Sequence, residues 1–309
     1  MILVAGGDAD PNLAPLLRRL AERGTDHLAL LVGASAAPRL TWDLERDRLW
    51  IGGVEARPTA LFLRHDVFTH LADRRPDVQN RATRWYQTLM SWALAHEEVA
   101  FLNRAYGARQ ASKPYALYLA RQAGLAVPET LVTNDPRDLA PVDAETWVVK
   151  PVNGGEYTRP LTDARTDEAW RRRCAEAPAL VQRRLIGPEF RIYRVGGRWF
   201  AFELRSDALD YRGDPAVAVA AVPAPPALTA PLGVLMDRLG LDFGAADFKT
   251  CPETGRPLFL EVNSAPMFAA FDRVTAGALC DAILDWLDTD ARGRNQDRPE
   301  AEASPPAAP

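Results

Sequence analysis

Short apolar runs alternate with amphipathic stretches along this chain. Residues 2–5 (ILVA) are continuously apolar and read as a buried strand. From Pro11 to Arg23, Leu13, Leu16, Leu17 and Leu20 recur at helical spacing, and Gly24 supplies a stop, so a helix is expected. His27 to Val32 is the next apolar run. Strand, helix and strand in that order predict a parallel sheet. Leu49–Ile51 and Val54 around Gly52-Gly53 read as a short hairpin, and Ala60–Leu63 as a further strand. Gln79–His96 reads as a long helix whose Trp85, Leu89 and Trp92 share one face, as core residues do.

After Asn103-Arg104 the pattern changes. Tyr115, Tyr118, Leu119 and Gln122 fit a helix that Gly124 ends, with Pro128 beyond it. Trp147–Lys150 is a strand that runs into the turn-rich stretch Pro151-Val152-Asn153-Gly154-Gly155. Strands are then expected over Ala179–Leu185, Glu189–Val195 and Arg198–Leu204, the last two joined at Gly196-Gly197. A helix over Leu228–Leu239 precedes two strands, Phe243–Thr250 and Leu258–Asn263, hairpinned about Pro252–Gly255. Thr275–Leu287 reads as a closing helix. From about Thr289 the chain is polar and rich in Pro and Ala, a composition that cannot bury a core.

The 309 residues are 47% hydrophobic and 25% charged, enough for two or three globular subdomains. The net charge of −4 gives no general reason to bind nucleic acid or an anionic membrane. No apolar run reaches the roughly 20 residues of a membrane span, and the N-terminus lacks the basic region of a signal peptide. Cys174, Cys251 and Cys280 are widely spaced and the four histidines form no HExxH, which argues against a zinc site and fits a reducing cytoplasm. Gly6-Gly7 after the first strand is not a dinucleotide fingerprint. Homo-oligomerisation is left open.

Of 37 basic residues only three are lysines: Lys113, Lys150 and Lys249. Lysine differs from arginine where a compact point charge must enter a tight site. Lys113 and Lys150, by their positions, are expected to be functional. Lys150 ends a strand and is followed by small residues whose N–H groups can approach anionic oxygen, as a polyphosphate requires.

Within "RPLFLEVNSAPMFAAFD" strand alternation puts Leu258, Leu260 and Val262 on one face and Phe259, Glu261 and Asn263 on the other. A carboxylate and an amide side by side suit Mg²⁺, or are two ordinary exposed residues. Folding the hairpin about Glu253 and Thr254 brings Asp247 opposite Glu261 to within one residue of register. Asp247, Glu261 and Asn263 then form a three-oxygen set for metal that in turn holds phosphate.

At these residues the chain resembles the ATP-grasp carboxylate ligases of the RimK-like group, which includes the graspetide (microviridin-type) peptide maturases. The resemblance lies in "LNRAYGARQASKPYALYLARQAGLAVPETLVTNDP", "WVVKPVNGG", "ALVQRRLIGPEFRIYRVGGRWFAFEL" and "GAADFKTCPETGRPLFLEVNSAP", roughly Leu102 to Phe271. It implies an α/β (α+β) ATP-grasp fold: an N-terminal parallel α/β domain over 1–104, a central subdomain over 105–185, a C-terminal subdomain with the metal site over 186–288, and a disordered tail over 289–309. It implies that Lys113, Lys150 and the loop at Gly154 and Gly155 contact ATP phosphates. Gln182, Arg183, Arg184 and Leu185 would form the hinge whose backbone reads adenine, and Glu189 would bind the ribose hydroxyls. Asp247, Glu261 and Asn263 would ligate two Mg²⁺ ions. Arg191, Arg205 and Arg212 would lie near the transferred phosphate or the substrate carboxylate; Arg205 and Arg212 read equally well as solvated salt-bridge partners. The chain departs from the family in keeping only two glycines in the phosphate loop and in carrying Arg183-Arg184 where many members have an acid.

The resemblance implies an ATP-dependent ligase that activates a carboxylate as an acylphosphate and joins it to an amine or hydroxyl, in modifying a peptide or a peptide-like natural product. Small amino acids as substrates, a kinase on the same fold, and a peptide-binding module without chemistry are the alternatives.

Overall fold

In the computed structural model, residues 1–33, 38–106, 112–139, 142–152, 157–165, 177–206, 209, 214 and 216–296 are described. The chain divides into two compact units, one of Met1–Leu102 with the segment from Gly277 onward, the other of Asn103–Ala276.

The first unit opens β1 (Ile2–Gly7), α1 (Leu13–Glu22), β2 (His27–Val32). A three-stranded antiparallel sheet follows, from β3 (Leu40–Asp43), β4 (Arg48–Ile51) and β5 (Val54–Ala56). Then come β6 (Ala60–Leu63), α2 (Phe68–Ala72), α3 (Pro76–Ala95) and β7 (Ala100–Phe101). The main sheet, in the order β2-β1-β6-β7, is parallel throughout, as the opening strand–helix–strand pattern requires. Its core gathers Leu3, Leu30, Leu61, Leu89 and Trp92, so the helical spacing of the last two marks packing.

The second unit holds two antiparallel sheets. In the first, α4 (Lys113–Gln122) leads to β8 (Thr130–Thr133), β9 (Trp147–Pro151), β10 (Arg159–Pro160), α5 (Leu161–Ala164) and β11 (Ala179–Arg183), with the strands ordered β10-β9-β11-β8. In the second are β12 (Ile186–Val195), β13 (Arg198–Arg205), β14 (Ala218–Val222), α6 (Pro226–Leu239), β15 (Phe243–Thr250), β16 (Pro257–Asn263) and α7 (Ala269–Val274), ordered β14-β13-β12-β15-β16. One core spans α4, α6 and the second sheet, with Leu119, Leu235, Met236, Phe248 and Phe259 buried together.

Two corrections concern the ends of elements. Asn103, expected to close the first region, belongs to the second unit. At φ 62° it donates from Nδ2 to the Phe243 and Ser264 carbonyls at 2.7 and 2.8 Å, and its Oδ1 accepts from the Phe243 N–H at 2.8 Å. It thereby ties the start of β15 to the end of β16. The closing helix, α8 (Ala278–Gln296), runs past the expected end at Leu287 and belongs to the first unit, not to 186–288. Leu279, Ile283 and Leu287 are fully buried at helical spacing, and Asp281 pairs with Arg19 of α1 and with Arg23 just beyond it, at 2.6 and 2.5 Å. Residues 297–309 of the expected disordered tail lie outside the described residues.

Glycine is required at two places near the second sheet. Gly240 ends α6 at φ 72°, and a Cβ there would meet the Ala105 Cβ at 2.8 Å. Gly244 lets β15 pass the Asn263 carbonyl oxygen, which a Cβ would meet at 3.0 Å.

Candidate active site

Residues of α4, both sheets of the second unit and α7 line a cavity of about 490 Å³. It is built around one irregularity of β16. From the turn, Thr250 pairs with Pro257, Lys249 with Leu258 and Phe248 with Phe259; then the register shifts by one, so that Asp247 faces Glu261 and Ala245 faces Asn263. Leu260 is the additional residue of this bulge. Simple alternation had put Phe259 with Glu261 and Asn263. The bulge instead sends Phe259 into the core, edge-to-face on Phe248 at 5.7 Å, and leaves Leu260, Glu261 and Asn263 on the cavity side.

The three expected metal ligands are therefore together. Asp247 is buried, Glu261 and Asn263 half-buried. Asn263 donates from Nδ2 to Asp247 Oδ2 at 3.2 Å and to Glu261 Oε1 at 3.5 Å. An amide N–H group thus stands between two carboxylates, where electrostatics calls for a cation; turning the amide over would present its oxygen to one. Among the described residues no group of three or more His, Cys, Asp or Glu is placed to hold a metal. Two carboxylates and an amide are nevertheless the hard, oxygen-rich set that suits Mg²⁺, which takes one or two carboxylates and fills its shell with water and phosphate. The donor set fits that ion.

Lys113 is the first residue of α4, a position where the helix dipole disfavours a cation. Its ammonium reaches Glu261 Oε2 at 3.2 Å. Burial alone would raise the Glu261 pKa, but the charges of Lys113 and Lys150 and the hydrogen bonds from Lys113 and Asn263 hold it below the usual carboxylate range. Lys150, near the end of β9, is half-buried with a desolvated ammonium. Desolvation is the largest cause that brings its pKa down, to about 8; Lys113 and Lys249 push the same way and Glu261 and Glu189 oppose them.

A hydrogen-bond chain orients Lys150. Its Nζ donates to Gln182 Oε1 at 3.0 Å, Gln182 Nε2 donates to Thr130 Oγ1 at 2.9 Å, and that hydroxyl donates to the Pro128 carbonyl at 2.8 Å. Because the hydroxyl's proton is used on Pro128, it can only accept from Gln182, which turns the amide oxygen towards the lysine. Thr130 lies on β8, a four-residue edge strand that the apolar pattern missed.

At the hinge, Gln182, Arg183 and Leu185 line the cavity, while the Arg184 side chain is exposed. The N–H groups of Arg183 and Arg184 are committed to the Glu129 and Thr146 carbonyls at 2.9 and 2.8 Å, and Leu185 carries the next one. The Arg183 side chain pairs with Glu253 in the β15–β16 turn, which gives the unexpected arginine a structural role. Glu189 is buried against Lys249, their charged atoms 3.2 Å apart. Arg191 lies over the Tyr193 and Phe271 rings, 5.6 and 5.4 Å from their centroids, with its Nη1 3.5 Å from Asp247 Oδ1.

The structure does not bring Arg205 to this cavity. Its side chain is 76% exposed at the end of β13 and pairs with Glu203 at 2.6 Å, the solvated alternative. Gly154, Gly155 and Arg212 lie outside the described residues. Sequence reasoning passed over Lys249, Thr130 and the apolar wall of Met267, Ala270 and Phe271. Only Lys249 carried a legible signal, as the third lysine in an arginine-rich chain. Among the described residues no helix is long and apolar enough to cross a membrane.

No protein-family model and no curated protein matches this chain. Solved structures do. The ATP-grasp ligase PsnB, complexed with a minimal precursor, Mg and ADP, is 26% identical over 93% of this chain and 97% of its own, with a TM-score of 0.72. The macrocyclase MdnC of Microcystis aeruginosa MRC, bound with its precursor peptide MdnA, is 19% identical over 94% of this chain and 99% of its own, at 0.74. The VanG D-Ala:D-Ser ligase of Enterococcus faecalis is 15% identical over 94% and 98%, at 0.61. The chain has the ATP-grasp fold, and the resemblance read from residues 102–271 extends over nearly its whole length.

Proposed function

We propose that this chain is an ATP-dependent ligase of the ATP-grasp type, acting on a Glu or Asp side chain of a peptide. The observation that carries this is the gathering of Lys113, Lys150, Asp247, Glu261 and Asn263 around one cavity, in a chain similar to ligases solved with precursor peptides. The PsnB complex with Mg and ADP supports ATP and Mg²⁺ as cofactors here.

Each group has a task set by its chemistry. Lys113 and Lys150 neutralise phosphate oxygens, and Lys150 is held on target by Gln182. Asp247, Glu261 and Asn263 would hold Mg²⁺, which would supply charge neutralisation at the phosphates. The Leu185 N–H meets adenine and Glu189 meets the ribose. Arg191, held by two rings and 3.5 Å from Asp247, steadies the carboxylate or the phosphoryl group in transfer. A carboxylate oxygen takes the γ-phosphoryl group and ADP leaves. An amine or hydroxyl then attacks the acyl carbon, gives up its proton, and expels phosphate. Positioning and charge neutralisation supply the rate, so no nucleophilic side chain is needed. Free cysteines at 251 and 280 fit a reducing cytoplasm as the setting.

Hydroxylamine tests this reading. With ATP, Mg²⁺ and a Glu- or Asp-containing peptide, the enzyme should release ADP and phosphate and form a peptide hydroxamate, and Lys150→Ala should abolish all three. A preference for free amino acids would move the substrate to small molecules. A stable phosphorylated product without free phosphate would replace the ligase by a kinase.

A further inference from the structure

The sheet that carries the metal set has one covered edge and one open one. At β16, α4 packs along the strand, and the Phe259 N–H donates to the Ala126 carbonyl at 2.9 Å. At the other end is β14, whose sequence is AVAAV. Among the described residues no strand pairs with its outer side. Ala218, Ala220 and Ala221 are exposed. The strand has no charged residue and no proline, the devices that close an edge to further pairing.

One cross-strand row joins this edge to the chemistry. Glu261 faces Asp247, Asp247 faces Arg191, Arg191 faces Phe202, and Phe202 faces Ala221. Directly opposed residues share a face, so Ala221 lies on the cavity side of the sheet. Phe271 of α7, which lines the cavity, meets Phe202 edge-to-face at 5.0 Å, and α7 itself packs on β14. An open edge recognises backbone N–H and C=O groups, and through the two faces of the strand it reads alternate side chains. The occupant that fits is an extended peptide, and the small side chains of β14 leave room for β-branched neighbours.

We propose that β14 is a docking edge for the peptide substrate, which adds to the sheet as a further strand and is held there while a more distant Glu or Asp reaches the cavity. This says how the peptide of the reading above is bound and rests on that reading. The geometry sets a spacing. By the strand order, the added strand lies four strand separations from β15, which carries Asp247, or about 19 Å. An extended chain covers that distance in about six residues.

The probe is a fluorescent peptide with the segment Thr-Val-Thr-Val-Thr-Val and a Glu about six residues beyond it, mixed with the full chain. Anisotropy gives its Kd, and hydrogen exchange read by mass spectrometry reports on β14. At a free probe concentration about ten times that Kd, the outward amides of residues 218–222 should exchange about tenfold more slowly. Ala221→Lys, which charges the edge, should cut this protection to within about twofold. Ala221→Ser, which leaves the edge neutral, should keep it and guards against a folding failure of the lysine variant. A probe N-methylated throughout the segment should give no protection, because its strand N–H groups are gone. With ATP, Mg²⁺ and hydroxylamine, the probe should form hydroxamate several-fold faster than one whose Glu lies about two residues beyond the segment. No measurable binding, binding that leaves 218–222 unprotected, or equal hydroxamate rates at the two spacings overturns the proposal. So does protection that grows with protein concentration without probe, which would give the edge to a second copy of the chain. Protection by the probe without hydroxamate from any peptide would instead remove the ligase reading and leave β14 as a peptide-docking edge.

Discussion

Asp247 and Glu261 face each other one residue out of the register set by the turn between their strands, because Leu260 bulges from β16. The bulge lets two adjacent pairs serve opposite purposes: Phe248 with Phe259 fills the core, and Asp247 with Glu261 lines the cavity. Glu261 also receives Lys113 at 3.2 Å. Glu261→Gln keeps the volume and removes the charge. Activity at limiting Mg²⁺ should fall by about 100-fold or more, while the melting temperature changes little because the site is half-exposed. Steady-state rates across a Mg²⁺ titration check this; an unchanged Mg²⁺ dependence would remove Glu261 from the metal set.

Lys150 should make nucleotide binding pH-dependent. Its pKa in the free protein is about 8, against an ordinary 10.5, chiefly through desolvation. A bound polyphosphate restores a favourable field for the charged form, so the complex has the higher pKa. The lysine's contribution to affinity is therefore complete below about pH 8 and declines as pH rises towards the pKa of the complex, by at most tenfold per unit. Stability of the free protein has the opposite trend. Between about pH 8 and 10.5 the unfolded chain holds the proton that the folded one has lost, so this lysine adds stability with rising pH. Calorimetry in two buffers of different ionisation heat should detect proton uptake on ATP binding at pH 9, and Lys150→Met should abolish it.

Thr130 does not line the cavity, yet it sets which way Gln182 points. Thr130→Val keeps the shape and removes the hydroxyl. We expect a stability loss of about 1–2 kcal/mol and an ATP affinity several-fold weaker. Thr130→Ser should restore the affinity, since the serine hydroxyl can make both bonds. Equal ATP affinity in the native and Thr130→Val proteins would show that Lys150 finds its place without the chain.

The end of α8 is packed, not loose. Ala291 is buried, and Arg294 donates to the Glu97 carbonyl at 2.9 Å. Truncation before Asp290 should cost about 1–2 kcal/mol and lower the melting temperature by roughly 2–4 °C. A scanning calorimetry trace that superimposes on that of the full chain would contradict this packing.

The sequence by itself determined the ladder of elements and most of the candidate site. Strong local periodicity placed β2, β6 and β15 at their observed bounds, and the lysine scarcity, with the spacing of Asp247, Glu261 and Asn263, marked residues that meet in space. These signals are local, or follow from a short hairpin whose turn limits the register. Tertiary structure decided the rest. The bulge at Leu260 overrode two-residue alternation, because the Phe259 ring is better buried on Phe248 than exposed beside a carboxylate. Arg191 and Arg205 carry the same charge on the adjacent strands β12 and β13, but only Arg191 lies where Asp247 and two aromatic rings hold it. The closing helix joined the first unit because Asp281 found Arg19 and Arg23, partners 262 and 258 residues away along the chain. The Thr130–Gln182–Lys150 chain and the Lys249–Glu189 pair are likewise contacts between strands distant in sequence, and no local pattern of hydrophobic and polar residues encodes them.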